Sequence, residues 1–352
     1  MGQPQRSAPL QRSRAHRVLA LAFALSLVVA AMAGPASATT PTERSTDTPA
    51  QSGVVRLMAV GDVMLAQSIG RRIVRQGPQA PWRRVLGYLD QADLLIANLE
   101  CPISSRGTRW PKKYTFRAPP AAADSLVAGG IDIVNLANNH TLDYGVTAFE
   151  DTLAALDARG IGHVGGGQDE TAAHAPLIVE RNGLRLGFLG YALYFAPGTM
   201  GEWTAGPGTP GVAAARPEIV SREVAALRSQ VDIVVVTFHG GRTNSSGPDR
   251  KVRELTRAAI AAGATLILGH HPHVLQGYSR EGSTLVAYSL GNFVFDYFTG
   301  RQNDSAILDV TFSASGVQSF SWIPIVIERG FPRPAQGVEI DRIMARLRPI
   351  QP

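Results

Sequence analysis

Five short segments, spread along the chain, set metal-donor side chains beside glycine or at the end of an apolar run. They are Gly61-Asp62, Asn98-Leu99-Glu100, Asn138-Asn139-His140, Phe238-His239-Gly240 and Gly269-His270-His271-Pro272-His273. Carboxylate, carboxamide and imidazole together suit Zn, Mn or Fe better than Ca or Mg alone, because imidazole is a borderline ligand. Apolar runs such as Leu94-Leu95-Ile96-Ala97 and Ile233-Val234-Val235-Val236-Thr237 precede these groups and read as buried strands. In open α/β sheets ligands bind beyond the carboxyl ends of the strands, so all five segments are expected on one rim.

The donors carry unequal weight. His271 and His273 flank Pro272 directly after a strand. In an extended segment positions i and i+2 point the same way, so these two would face one metal cluster while His270 points elsewhere. Asn139 is a weak ligand by itself, but beside it stands His140, with Asp143 three residues on. That carboxylate is placed to hold the imidazole by a charge-assisted hydrogen bond. Asp62 and Glu100 each end a strand, where an acid also serves as a helix cap or a solvated charge. His239 closes another strand on the same rim. Asn292 and Asp296, leaving a further strand, are candidates to orient the ligands, although Asn292 also suits a plain turn. Cys101, the one cysteine, reads as a small buried hydrophobe, and no internal disulfide exists.

Strand and helix signals alternate along the chain. Helices are expected at about 67–76, 81–90, 120–128, 146–159, 217–229 and 249–262, with a last one at 339–347. Strands are expected between them and at about 283–290, 305–312 and 317–327. Asn182-Gly183 between apolar runs signals a hairpin. Residues 101–120, rich in Pro, Lys and Arg, read as an exposed excursion. Alternation of this kind means a mostly parallel or mixed sheet with helices outside.

The bulk numbers narrow the class. Of 352 residues, 45% are hydrophobic and 18% charged, which fits a globular chain. The net charge of +6 hints at polyanion binding, but Arg6, Arg12, Arg14 and Arg17 precede an apolar run from Val18 to Met32 and the small residues Ala36-Ser37-Ala38. That is the layout of a secretory signal peptide, or of an N-terminal anchor if uncleaved. Without it the protein is nearly neutral, so no nucleic-acid partner is expected. The organisation expected is a leader or anchor at 1–38, a disordered Thr/Ser/Pro linker at 39–53, one domain at 54–330 and a C-terminal tail or helix at 331–352.

Taken in order, the motifs resemble those of the capsule-synthesis family CapA, linked to poly-γ-glutamate production. They read Gly61-Asp62-Val63-Met64, Asn98-Leu99-Glu100-Cys101-Pro102, Asn138-Asn139-His140-Thr141-Leu142-Asp143-Tyr144-Gly145, Gly269-His270-His271-Pro272-His273-Val274-Leu275-Gln276 and Tyr288-Ser289-Leu290-Gly291-Asn292-Phe293-Val294-Phe295-Asp296. The family looks like a branch of the calcineurin-like metallophosphoesterase superfamily. The resemblance implies an α/β sandwich of two mixed β-sheets flanked by helices, metallophosphatase-like, with a dinuclear site at the strand ends. It implies Asp62 and His273 at a first metal, Glu100 as the bridge, and Asn139, His239 and His271 at a second. His140 becomes the acid or the transition-state stabiliser. Two departures stand out. Met64 replaces the usual histidine after Asp62, so the first position looks depleted unless His270 or Asn292 fills it. After His239 the family commonly continues with Trp-Gly, an acid and an aromatic, whereas this chain reads Gly240-Gly241-Arg242-Thr243-Asn244.

The function expected is that of a secreted or surface-tethered, metal-dependent hydrolase-like protein carrying one or two divalent ions. Its substrate would be an anionic cell-envelope polymer or its precursor. The alternative is a non-catalytic, metal-stabilised accessory subunit that guides an acidic polymer beside a membrane synthase.

Overall fold

A computed structural model describes residues 53–195 and 198–351. The expected leader and nearly all of the expected linker lie outside the described residues. Two mixed sheets are stacked face to face. In the first, β1 (Val54–Val63), β2 (Leu94–Leu99), β3 (Ile133–Asn135) and β4 (Gly162–Val164) run parallel. In the second, the parallel strands are β7 (Leu184–Ala192), β9 (Ile233–His239), β10 (Leu266–His270) and β12 (Thr284–Ala287). Its edges are antiparallel, β6 (Leu177–Arg181) on β7 and β11 (Tyr278–Glu281) on β12. A small two-stranded sheet pairs β5 (Gly166–Gly167) with β8 (Gly211–Val212).

Beyond β1 the first sheet continues antiparallel through β14 (Asp304–Ser313), β15 (Gly316–Glu328) and β16 (Phe331–Pro334). The short β13 (Asn292–Val294) pairs in parallel with the end of β1. The chain past residue 330 therefore belongs to the same unit. β16 extends the sheet, and Ile343 and Leu347 are buried in a satellite cluster with Leu275, Ala306 and Val326.

Alternation along β1 explains the layers. Val55, Leu57 and Ala59 face the second sheet and meet Leu186, Phe188, Val235, Leu266 and Leu285. Met58 and Val60 point the other way, into a core shared with the helices of the first sheet, while Val234, Val236 and Ile267 pack under Pro217–Arg228 and Arg250–Ala261. The parallel strands are apolar on both faces because helices or a sheet cover both. The 182–183 hairpin forms as expected, with both turn residues at positive φ (51° and 81°), the geometry that Asn-Gly accommodates. The 81–90 helix shrinks to Leu86–Leu89. Among the described residues no helix is long and apolar enough to cross a membrane.

The 101–120 excursion departs most from expectation. Thr115, Phe116 and Ala118 are buried, and Lys112 reaches inward to Asp143. It is a strap laid over the carboxyl ends of β2 and β3, held by bonds that its composition does not reveal.

Phe188 sits fully buried at the centre of the inter-sheet core. Phe188→Ala is expected to cost about 3–5 kcal/mol of stability in chemical denaturation. A loss below about 1 kcal/mol would show that the two sheets do not depend on this contact.

Candidate metal centre

Every donor segment lies at or just past the carboxyl end of a parallel strand. Asp62 is at the end of β1, and Glu100 follows β2. Asn138, Asn139 and His140 follow β3. His239 and His270 close β9 and β10. Because those strands are parallel and the sheets stack, the ends share one rim. Two glycines make the approach tight enough. A Cβ on Gly61 would lie 2.0 Å from the carbonyl oxygen of Gly291, and one on Gly269 would lie 1.9 Å from that of Tyr288. The strands can close around Asp62 and His270 only without those side chains.

One atom each of Asp62, Glu100 and His239 lies within 4.8 Å of the other two, and all three residues are buried. Around them the remaining donors gather in two sets. His239 Nε2 is 2.7 Å from Asn139 Oδ1, 3.2 Å from His271 Nδ1 and 4.0 Å from Glu100 Oε1. Asp62 Oδ2 is 3.2 Å from His273 Nδ1, and Asp62 Oδ1 is 3.3 Å from His270 Nδ1. His273 Nε2 is 3.7 Å from Glu100 Oε1, so Glu100 touches both sets.

His270 is the residue that sequence reasoning misplaced. The 270–273 segment is not extended, because His271 and His273 sit at positive φ, 97° and 57°. The chain turns at each of them, and His270 projects toward Asp62 rather than away. Met64 is buried in the helix-side core, where its sulfur accepts from Ala66 N at 3.2 Å. His270 thus stands beside the carboxylate that Met64 does not serve.

Asn98 was also missed as a functional residue. Its Nδ2 donates to Asp62 Oδ1 at 2.9 Å and lies 3.2 Å from His239 Nδ1. Its Oδ1 accepts from Asn135 Nδ2 at 2.9 Å and Asn138 Nδ2 at 3.4 Å. This carboxamide bridge fixes one donor of each set from behind. The available signal was an asparagine closing each of two apolar strands. Of the two expected orienters, Asn292 Oδ1 lies 2.9 Å from His273 Nδ1, while Asp296 accepts from Ser68 instead.

His140 is set at the edge of the donors. Asp143 Oδ2 lies 2.7 Å from its Nδ1, and its Nε2 looks toward Glu100 Oε1 at 3.9 Å. Phe116 of the strap covers the ring at 4.4 Å between centroids. Lys112 Nζ reaches Asp143 Oδ1 at 2.5 Å and also donates to the carbonyl of Asn139. The aromatic walls that Gly240–Asn244 lacks come from other loops. Tyr194 stacks on His271 at 4.3 Å, and Phe298 lies 4.6 Å from His273.

Burial sets the electrostatics. It raises the Asp62 pKa, but the imidazoles of His270 and His273 against it outweigh burial and hold the carboxyl well below its usual range. Burial pushes Glu100 well above its usual range, and the neighbouring Asp62 charge adds to the shift. Burial lowers His239, and lowers His271 to about 3, with the adjacent imidazoles contributing. His140 is lowered by burial against the opposing pull of Asp143. These imidazoles are therefore neutral at pH 7, the form in which they donate to a metal. Burial pushes the Cys101 thiol up to about 12, so it stays an inert core group.

The donor set fits a divalent cation. Asp62 Oδ2 and both oxygens of Glu100 are buried without a hydrogen-bond partner. Buried carboxylate oxygens are ordinarily paired or bound to metal. Glu100, Asn139, His239 and His271 would hold one ion, and Asp62, Glu100, His270 and His273 a second. Mixed N and O donors suit Zn, Mn or Fe.

A model of the bacterial capsule synthesis protein family PGA_cap matches residues 56–297. The PGA biosynthesis protein CapA of Bacillus subtilis (strain 168) is 31% identical over 280 residues, 79% of this chain and 73% of its own. The capsule biosynthesis protein CapA of Bacillus anthracis is 29% identical over 297 residues, covering 82% and 71% respectively. Among solved structures, a 5'-nucleotidase precursor from Thermus thermophilus is similar with a TM-score of 0.47 and 14% identity, over 83% of this chain and 58% of that one.

Metal loading should release protons, since Glu100 must ionise to bind. Calorimetric titration of metal-free protein with Zn or Mn, in buffers of different ionisation enthalpy, is expected to show net proton release and tighter binding as pH rises. Proton-neutral, pH-independent binding would contradict the Glu100 assignment. His270→Ala should lower the bound metal by one equivalent in elemental analysis, and an unchanged content would remove His270 from the set.

Proposed function

Because the chain belongs to the PGA_cap family of bacterial capsule synthesis proteins, we propose that it is an exported, metal-dependent hydrolase-like protein acting on an acidic envelope polymer or its precursor. The observation that carries the catalytic part is the His140–Asp143–Lys112 arrangement beside the donor cluster. A cation held only for stability needs no oriented imidazole next to it. A divalent cation would supply charge stabilisation at the scissile oxygen and acidify a water.

The chain's own groups divide the remaining work. His140 Nδ1 is committed to Asp143, so a proton moving to or from substrate passes through Nε2, the atom that faces Glu100. Phe116 excludes water from one side of that ring, and the Lys112 ammonium balances Asp143. Tyr194 and Phe298 fix the planes of His271 and His273. The capsule and PGA roles named for the Bacillus relatives support an acidic polymer as substrate. The basic start and the Val18–Met32 run support export.

His140→Ala should reduce hydrolysis by about 10²–10⁴-fold while metal content stays normal. The assay pairs phosphoester and γ-glutamyl substrates with elemental analysis. Full activity in the variant, or loss of its metal, contradicts the assigned role. A metal-loaded wild type inert on both substrate classes would favour the accessory-subunit reading. On export, fractionation of cells making the full chain should find it outside the cytoplasm, either without residues 1–38 or retained at the membrane. Full-length soluble protein in the cytoplasm would refute this.

A further inference from the structure

A second site lies beside the strap. It is a groove of about 610 Å³ between helix Gln67–Gln76 and the 101–120 segment, lined by Gln67, Arg71, Arg75, Ser105, Arg117 and Tyr144 among others. That volume falls within the ordinary range for ligand sites. No acid lines it. Arg71 and Arg75 are exposed and, among the described residues, have no carboxylate partner. They stand at i and i+4, where like charges repel on a helix surface unless an anion lies between them. The Arg117 guanidinium is held 4.2 Å over the Tyr144 ring and donates to the carbonyl of Arg106 at 2.9 Å, so its plane is fixed.

The charge is segregated, not scattered. Helix 67–76 carries Arg71, Arg72 and Arg75, and the strap carries Arg109, Lys113 and Arg117 besides Arg106 and Lys112, which pair with Asp151 and Asp143, with no acid in either segment itself. Over the rest of residues 53–352, acids outnumber bases. The groove also adjoins the metal centre along the chain. Arg117 follows Phe116, which covers His140, and Tyr144 follows Asp143, which holds it. Gln67 lies just past the end of β1, and the helix carries the arginines away from the rim. At 1.5 Å per residue, Gln67 to Arg75 spans about 12 Å.

We infer that this groove is an anchoring subsite for carboxylates of an extended acidic polymer whose other end reaches the donor cluster. The inference rests on the proposed function for the polymer's identity, but not for the site. Planar guanidinium groups bind carboxylates in pairs of parallel hydrogen bonds, and several of them along a groove favour a repeating anion over a single one.

The test uses the mature, metal-loaded protein and reads binding, not turnover. Poly-γ-glutamate is titrated over a salt series, with polyphosphate and uncharged dextran as comparators. The variants are R71A/R75A and, as a control on the outer helix, K251A/R257A. R71A/R75A should bind poly-γ-glutamate about 10-fold more weakly, with a salt slope smaller by about 1–2 and unchanged metal content. The control should match wild type. Wild-type affinity in R71A/R75A, equal loss in the control, or no binding by the wild type overturns the inference. Preference for polyphosphate through the same arginines overturns the carboxylate assignment. Groove-dependent binding by a protein that hydrolyses nothing supports the subsite while sinking the hydrolase reading, so the two fail separately.

Discussion

Asp62 and Glu100 are buried together, and three of their four oxygens have no hydrogen-bond partner. Two carboxylates taken out of water and set side by side are strongly unfavourable unless cations or protons answer them. The rim is arranged around that conflict. Asp62 stays ionised because His270 and His273 lie against it, and Glu100 is driven toward its protonated form. Removing the acids would relieve the conflict, yet the fold brings four imidazoles, a carboxamide and two glycine-permitted close approaches to the same point. A packing core needs none of these, whereas they are the donors and close approaches that a cation-binding centre uses.

The stacked sheets make this convergence possible with little connecting chain. Parallel strands from both layers end on one rim, so donors far apart in sequence meet without long loops. Asn98 ties the layers together, since its amide touches Asp62 on its own sheet and His239 on the other. The centre is therefore a property of how the sheets stack. Inter-sheet residues such as Phe188 support it without approaching it.

The strand ends were legible in the sequence because a short apolar run closed by glycine or a polar residue has few other readings. The Asn182-Gly183 turn and the helices at 67–76, 146–159 and 249–262 were legible for similar local reasons. Three features were not. The bend at His271 and His273 is imposed by tertiary contacts that override the extended preference around Pro272, and it is what turned His270 inward. Lys112 and Phe116 lie in a stretch whose Pro, Lys and Arg content describes a surface loop. Their burial comes from Asp143 and His140, neighbours that only the fold supplies. Asp296 carried the spacing of a ligand-orienting residue, but β13 ends two residues earlier and the side chain meets Ser68 instead.

The backbone at His271 and His273 adds an energetic link between fold and site. Non-glycine residues at positive φ cost of order 1–3 kcal/mol each and persist where the surroundings over-determine them. Here the constraint acts at both ends. Pro272 restricts its own φ, His271 Nδ1 is 3.2 Å from His239, and His273 Nδ1 lies within 3.2 Å of both Asp62 and Asn292. Relaxing the backbone at His273 would swing its imidazole away from Asp62 and Glu100, and relaxing it at His271 would draw that ring away from His239. The strained bend and the carboxylate pair are thus mutually stabilising. A ligand answering the carboxylates also stabilises the bend, which couples occupancy of the centre to the rigidity of the loop that carries half of its imidazoles.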